Sequence, residues 1–231
     1  MTRPIAKNSC FSRGFTLIEL LVVLAVISIL MGMVYPMYLR MSERAKATKD
    51  MSNLRQIGLA TQTYLNDTDG VLFSPGTSWM SQLTPKYLSV WRVFQSAFDK
   101  RSTSEFGDAT TAVSYGVNPN IYPAGAAMPA IKITKPSGFI LFAPAEASGA
   151  TLSFQGTAAS AVPGVGVLGI GGNTATSTPG GNAIGGTYNS RQLVTALFGD
   201  FHCENMTWSA FTSTAANPGQ PNQWTPYIPY P

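Results

Sequence analysis

Between residues 20 and 39 the chain reads LLVVLAVISILMGMVYPMYL, without one charged side chain. About 20 apolar residues cross a hydrocarbon core of about 30 Å, so this run predicts a membrane-spanning helix. It is apolar on every side, as suits a helix facing lipid or the packed core of an assembly. A buried core helix is a poor rival, because nothing else in the chain is apolar enough to wrap it. A cleavable secretory signal fits the basic start at Arg3, Lys7 and Arg13. The apolar run is too long for that, however, and bulky Val34-Tyr35-Pro36-Met37-Tyr38 stands where small residues would be needed. A lipoprotein anchor through Cys10 fails as well, since polar Lys7-Asn8-Ser9 precedes it. Arg40, Arg44, Lys46 and Lys49 follow the span, so cations flank both ends and charge bias assigns no orientation.

Beyond the span the pattern becomes one-sided. Ala47, Met51, Leu54, Gly58, Thr61 and Leu65 recur at steps of three and four, flanked by Ile57 and Tyr64. Arg40, Glu43, Arg44, Lys46, Lys49, Asp50 and Arg55 are expected on the other faces. Pro36 removes one backbone donor and should kink the helix without ending it, because periodicity resumes beyond it. Asn66-Asp67-Thr68-Asp69-Gly70 is a stop signal. A helix over 15–65 would be about 76 Å long at 1.5 Å per residue. Asp67 and Asp69 hint at calcium, but Val71-Leu72-Phe73 follows where an EF-hand loop needs further ligands.

Residues 71–231 alternate short β-type runs, at 89–94, 112–117, 139–143 and 193–198, with breakers such as Pro119, Pro123, Pro136 and Gly138. With no helical period between them, a parallel sheet is disfavoured and an antiparallel one expected. Residues 145–189 are rich in Gly, Ala, Ser and Thr and predict a long loop. Within it, Gly164-Val165-Gly166-Val167-Leu168-Gly169 formally matches a dinucleotide fingerprint but has neither strand before nor helix after. The tail, 217–231, carries five Pro and predicts an extended arm. The fold class is therefore α+β: a long N-terminal helix, membrane-spanning in its first half, packed on a small antiparallel β-sheet head.

Composition narrows the function. Charged residues are 11% of the 231, well under the roughly 25% typical of soluble domains. A net charge of +4 is too small and scattered for a nucleic-acid footprint. Two Cys and one His exclude a disulfide scaffold and a His-rich metal centre. Asp200 and His202, two apart, are weak candidates for a metal or acid–base pair with Glu204, and a turn hydrogen bond is their simpler reading. No catalytic residues and no cofactor are expected.

The chemistry concentrates at Arg13-Gly14-Phe15-Thr16-Leu17-Ile18-Glu19-Leu20. A carboxylate inside an apolar segment costs about 2.5 to 3.5 kcal/mol on insertion scales, so Glu19 needs a partner or a task. A cut after Gly14 would give Phe15 an α-amine, and on a helix Phe15 and Glu19 would share a face at i and i+4. These residues resemble the N-terminus of type IV prepilins and type II secretion pseudopilins. The resemblance implies a leader over 1–14, cleavage between Gly14 and Phe15 by a prepilin peptidase, N-methylation of Phe15, an assembly role for Glu19 and a kink at Pro36. It implies a filament-core helix over 15–39, an amphipathic continuation over 40–70 and a head over 71–231. Loss of the leader would lower the net charge from +4 to +1 and leave Cys203 as the only thiol.

The head carries a second resemblance. Tyr87-Leu88, Val93-Phe94, Ser114-Tyr115-Gly116-Val117-Asn118, Lys135-Pro136-Ser137 and Ala196-Leu197-Phe198-Gly199-Asp200-Phe201-His202 follow the order of a prepilin-like subgroup named for a His, nine residues, Asp-Gly signature. Here Asp200 is followed by Phe201, and Ser190 stands ten residues before it where that His belongs. The resemblances together imply a structural filament subunit, not an enzyme, held single-pass in the inner membrane with its head outside the cytoplasm. Its partners would be the peptidase, other copies or related subunits, an assembly platform and lipid, with no nucleic acid. The alternative is a membrane-anchored binding protein whose head and Gly-rich loop contact a ligand.

Overall fold

The computed structural model describes residues 14–75, 77–99, 113–121, 125–144, 176–177, 183–184, 187–189, 192–207 and 210–211. Residues 1–13, most of the Gly-rich stretch and the tail 217–231 lie outside the described residues. Helix α1 covers Leu17–Asp67, 51 residues with Pro36 inside it. The expected length is met, with both ends shifted by two residues.

The chain divides into two units, Met1–Ser42 and Glu43–Pro231. In the first, each described residue through Met41 is exposed, and the large apolar side chains keep between 46% (Ile27) and 82% (Leu17) of their surface open. A core helix would bury this surface; α1 is instead long and apolar enough to cross a membrane, with its most apolar stretch uncovered.

In the second unit α1 turns one face inward, burying Ala47, Asp50, Asn53, Leu54, Ile57, Gly58, Ala60 and Thr61. The stripe predicted by periodicity is present, although Met51 and Leu65 are only half-buried. Asp50 is a correction. Expected among the solvated charges, it is 0% exposed. The helix stops where the turn cluster predicts: Asp69 (φ 53°) and Gly70 (φ 76°) turn left-handed, and Gly70 N–H donates to Leu65 C=O at 2.8 Å.

The sheet has four antiparallel strands in the order β1-β2-β5-β6: β1 Tyr115–Val117, β2 Ile140–Pro144, β5 Leu193–Phe198 and β6 Cys203–Thr207. A separate pair, β3 Thr176–Ser177 with β4 Ala183–Ile184, falls in the Gly-rich stretch. β1 pairs Tyr115 with Pro144 and Val117 with Phe142; β5 pairs Leu193 with Thr207 through to Leu197 with Cys203. The register shifts between Ile140 and Phe142. Leu141 and Phe142 therefore both join the cluster that holds Leu54 and Ile57 of α1. Ile140 and Ala143 join a second cluster with Val194, Ala196, Phe198 and Phe211, a division strict alternation would forbid.

Two expectations change. The predicted strand at 89–94 is a 3-10 turn, Trp91–Phe94. A three-residue period puts Trp91 and Phe94 on one side, where both are buried with ring centroids 5.1 Å apart; a strand would have sent them to opposite faces. The short helix α2, Trp79–Leu83, carries the centre of the core. The Trp79 ring lies 4.7 Å from Phe142, 5.2 Å from Phe94 and 6.1 Å from Phe73.

At the helix–sheet contact a Cβ on Gly58 would stand 3.1 and 3.3 Å from the two δ-methyls of Leu197. Leu197 is fully buried and has no room to retreat. Gly58→Val is therefore expected to cost about 1 to 3 kcal/mol through overpacking, read as a lower denaturation midpoint. An unchanged midpoint would show that the contact yields freely.

Candidate functional site

The local sequence at the helix entrance is Gly14-Phe15-Thr16-Leu17-Ile18-Glu19, with Leu17 the first helical residue. Gly14 and Phe15 are exposed and precede the helix. In the uncut chain Phe15 therefore lies just outside the helix that carries Glu19. Thr16 takes the capping position instead. Its N–H donates to Glu19 Oε2 at 2.9 Å, its hydroxyl donates to the same oxygen at 2.7 Å, and Glu19 N–H donates to Thr16 Oγ1 at 3.3 Å. This reciprocal pattern is a capping box, which satisfies two backbone donors that a helix start leaves open. The signal was legible as Thr-x-x-Glu before an apolar run, a spacing to which the sequence reading gave no weight.

The arrangement explains how a carboxylate tolerates this apolar segment. Glu19 lies in the first turn, where aligned peptide dipoles favour negative charge, and two hydrogen bonds from Thr16 fix its orientation. Every member of the box is exposed. The carboxylate is held in place and remains open to a second partner. Pro36 sits well downstream within α1 and is exposed.

The second candidate group lies on the turn from β5 to β6. His202 Nδ1 meets Asp200 Oδ1, its N–H donates to the same oxygen at 3.2 Å, and its ring stacks on Phe198 with centroids 4.4 Å apart. Glu204 Oε2 is 3.9 Å from Nε2. Phe201, between them, takes φ 67°, so the chain turns here. The pair is a turn hydrogen bond. Among the described residues no group of three or more His, Cys, Asp or Glu side chains could hold a metal ion.

Two other residues singled out by sequence are placed. Asp67 accepts Lys86 Nζ at 2.6 Å and Tyr87 Oη at 2.9 Å, which holds its carboxyl below the usual range. Cys203, half-buried on β6, has its thiol pushed up by burial and points to Met51 C=O at 3.9 Å. Ser190, Gly164–Gly169 and the tail lie outside the described residues.

Comparison with known proteins agrees with the entrance geometry. Residues 11–35 match the prokaryotic N-terminal methylation motif. Over 58 residues the chain is 34% identical to the Type IV major pilin protein PilA of Myxococcus xanthus (strain DK1622), a stretch covering 25% of this chain and 26% of that protein. The chain thus spans about a quarter of the length of this curated relative. No solved structure matches it. Part of the chain is thus similar to a type IV pilin, and its N-terminal helix is long and apolar enough to cross a membrane.

The capping box yields a direct test. Thr16→Ala removes the hydroxyl that donates to Glu19 Oε2 and accepts from Glu19 N–H, leaves the Thr16 N–H bond, and should weaken the first turn by about 1 kcal/mol. In detergent micelles the Glu19 and Leu20 amides should then exchange several-fold faster, while amides of the second unit keep their rates.

Proposed function

We propose that this pilin-like chain is the precursor of a filament subunit, cut between Gly14 and Phe15 by a prepilin peptidase and N-methylated on Phe15. The observation that carries the reading is Gly14-Phe15-Thr16 standing exposed and non-helical immediately before a capped helix whose residues 20–39 carry no charge. A peptidase needs an extended substrate, and the chain offers one that ends where α1 begins. The mature helix over 15–39 anchors the subunit in the inner membrane, head outside the cytoplasm, until it passes into the core of a pilus or pseudopilus. Pro36 supplies the kink. The chain is the substrate of its processing enzymes and not an enzyme itself; an assembly platform, lipid and related subunits are its partners.

Glu19 does the selecting in this scheme. Its carboxylate leaves Thr16, or adds to it, to meet the Phe15 amine of a neighbouring subunit. Pairing removes two charges from apolar surroundings at once, and leaving either alone would cost several kcal/mol. The capping box holds the carboxylate at the entrance until that partner arrives.

Two measurements test the reading. The mass of the mature N-terminus should correspond to a chain starting at methylated Phe15; an intact leader or another cut site removes the core of the proposal. Glu19→Ala should still be cut and inserted, because the scissile bond lies outside the helix, yet give little sheared filament per processed subunit. Glu19→Gln should be intermediate. Wild-type filament yield from Glu19→Ala would show that the carboxylate is a bystander.

A further inference from the structure

Asp50 stands three residues after Ala47 and four before Leu54, inside the stripe α1 turns toward the core. It is fully buried. Tyr115 Oη at 2.7 Å from β1 and Ala97 N–H at 3.0 Å from the segment after the 3-10 turn both donate to Oδ1, and the Ser96 side chain also interacts with the carboxyl. Oδ2 is buried with no hydrogen-bond partner. Asn53, one turn on, donates to Gln95 C=O at 2.9 Å and lies 3.4 Å from Tyr115 Oη, so α1, 95–97 and β1 meet around this one carboxyl.

The charges facing it are few. On α1, Lys49 is its neighbour in sequence and the weakest of the influences on it, while Lys46 sits over the Phe98 ring at 6.0 Å. On the 95–99 segment the ionisable group is Asp99, which accepts Ser114 Oγ at 2.6 Å. Tyr115 is completely buried, and Tyr188, packed with Ala47 and Phe98, feels Asp50 as a like charge. With both donors on Oδ1 and nothing on Oδ2, the geometry suits a neutral acid whose proton rides on Oδ2.

We infer that Asp50 is a proton-operated latch: the head folds around it as a neutral carboxylic acid, and ionisation loosens the junction of α1 with 95–97 and β1. Burial drives its pKa above the usual carboxylate value of 3.8, and the opposing pull of Tyr115, Ser96, the Ala97 N–H and Lys49 does not cancel that. The folded head therefore holds a proton that the unfolded chain releases near pH 4. The stability due to this proton is complete below about pH 4 and declines as pH rises through the folded value, by at most about tenfold in the folded-to-unfolded ratio per pH unit for one proton. The sign is opposite to that of Asp67, whose lowered pKa adds stability above pH 4. Differences between variants isolate the Asp50 part.

The experiment uses the full chain in detergent micelles. Asp50→Asn keeps the shape and removes the ionisation. Its stability relative to the wild type should rise progressively as pH rises from about 4 through the folded value of Asp50, then level off. Parallel stability curves, with the Asn variant offset by a constant amount, would overturn the inference. In the wild type, carboxyl carbon shifts should show Asp50 titrating above the ordinary carboxylate value of 3.8, with faster exchange of the Ala97 amide once it ionises. Titration at the ordinary carboxylate pH would overturn the inference independently, even if Asp50→Asn fails to fold.

Discussion

The approach of α1 to β5 at Gly58 is the constraint around which the second unit is arranged. With no side chain there, Leu197 fills the space against the helix backbone and the Phe201 Cβ lies 3.6 Å from where a Cβ would be. Leu54 and Ile57 are thereby brought into the same cluster as Tyr115, Leu141, Phe142 and Trp79. The contact also accounts for a costly residue choice. Phe201 is left-handed at φ 67°, a conformation that costs a bulky side chain of order 1 to 3 kcal/mol. Its packing on this cluster and its N–H bond to Phe198 C=O at 2.9 Å offset that cost. The Asp-Gly expected from the resemblance can become Asp200-Phe201 because the ring has somewhere to go.

One helix also serves two solvents. Up to Met41 its surface is apolar and exposed on every side. From Ala47 onward it buries one stripe and is mostly polar elsewhere, with Leu59 an exposed exception. Hydrogen bonds along the helix axis keep the backbone satisfied in both settings, so one element can run from apolar surroundings into an aqueous domain without a joint. Its exposed start is satisfied by Thr16 and Glu19, side chains from the chain's own first turn.

Legibility from sequence followed the strength of the physical signal. The helix, its two regimes and its end at Asp69-Gly70 could be read because length, charge exclusion and turn chemistry agree there. Three of the four predicted strands stand because Val, Leu, Ile and Phe dominate them. Residues 89–94 misled, since Trp91 and Phe94 satisfy a period of three that a six-residue run cannot distinguish from a strand. β6, Cys203–Thr207, was missed because this edge strand is exposed or half-buried throughout and its sequence carries no apolar alternation. Asp50 was assigned to solvent by residue type alone. Its spacing from Ala47 and Leu54 placed it in the stripe, and spacing was the better guide.

β6 ends the sheet and exposes Glu204, Asn205 and Thr207. A terminal strand is a template on which another chain can add itself by main-chain pairing, and apolar terminal strands invite it. Wherever many copies of this head are crowded at high local concentration, two such strands laid side by side would bring Glu204 carboxylates into repulsion and gain no apolar contact from Asn205 or Thr207. Polarity at this margin keeps crowding from becoming aggregation.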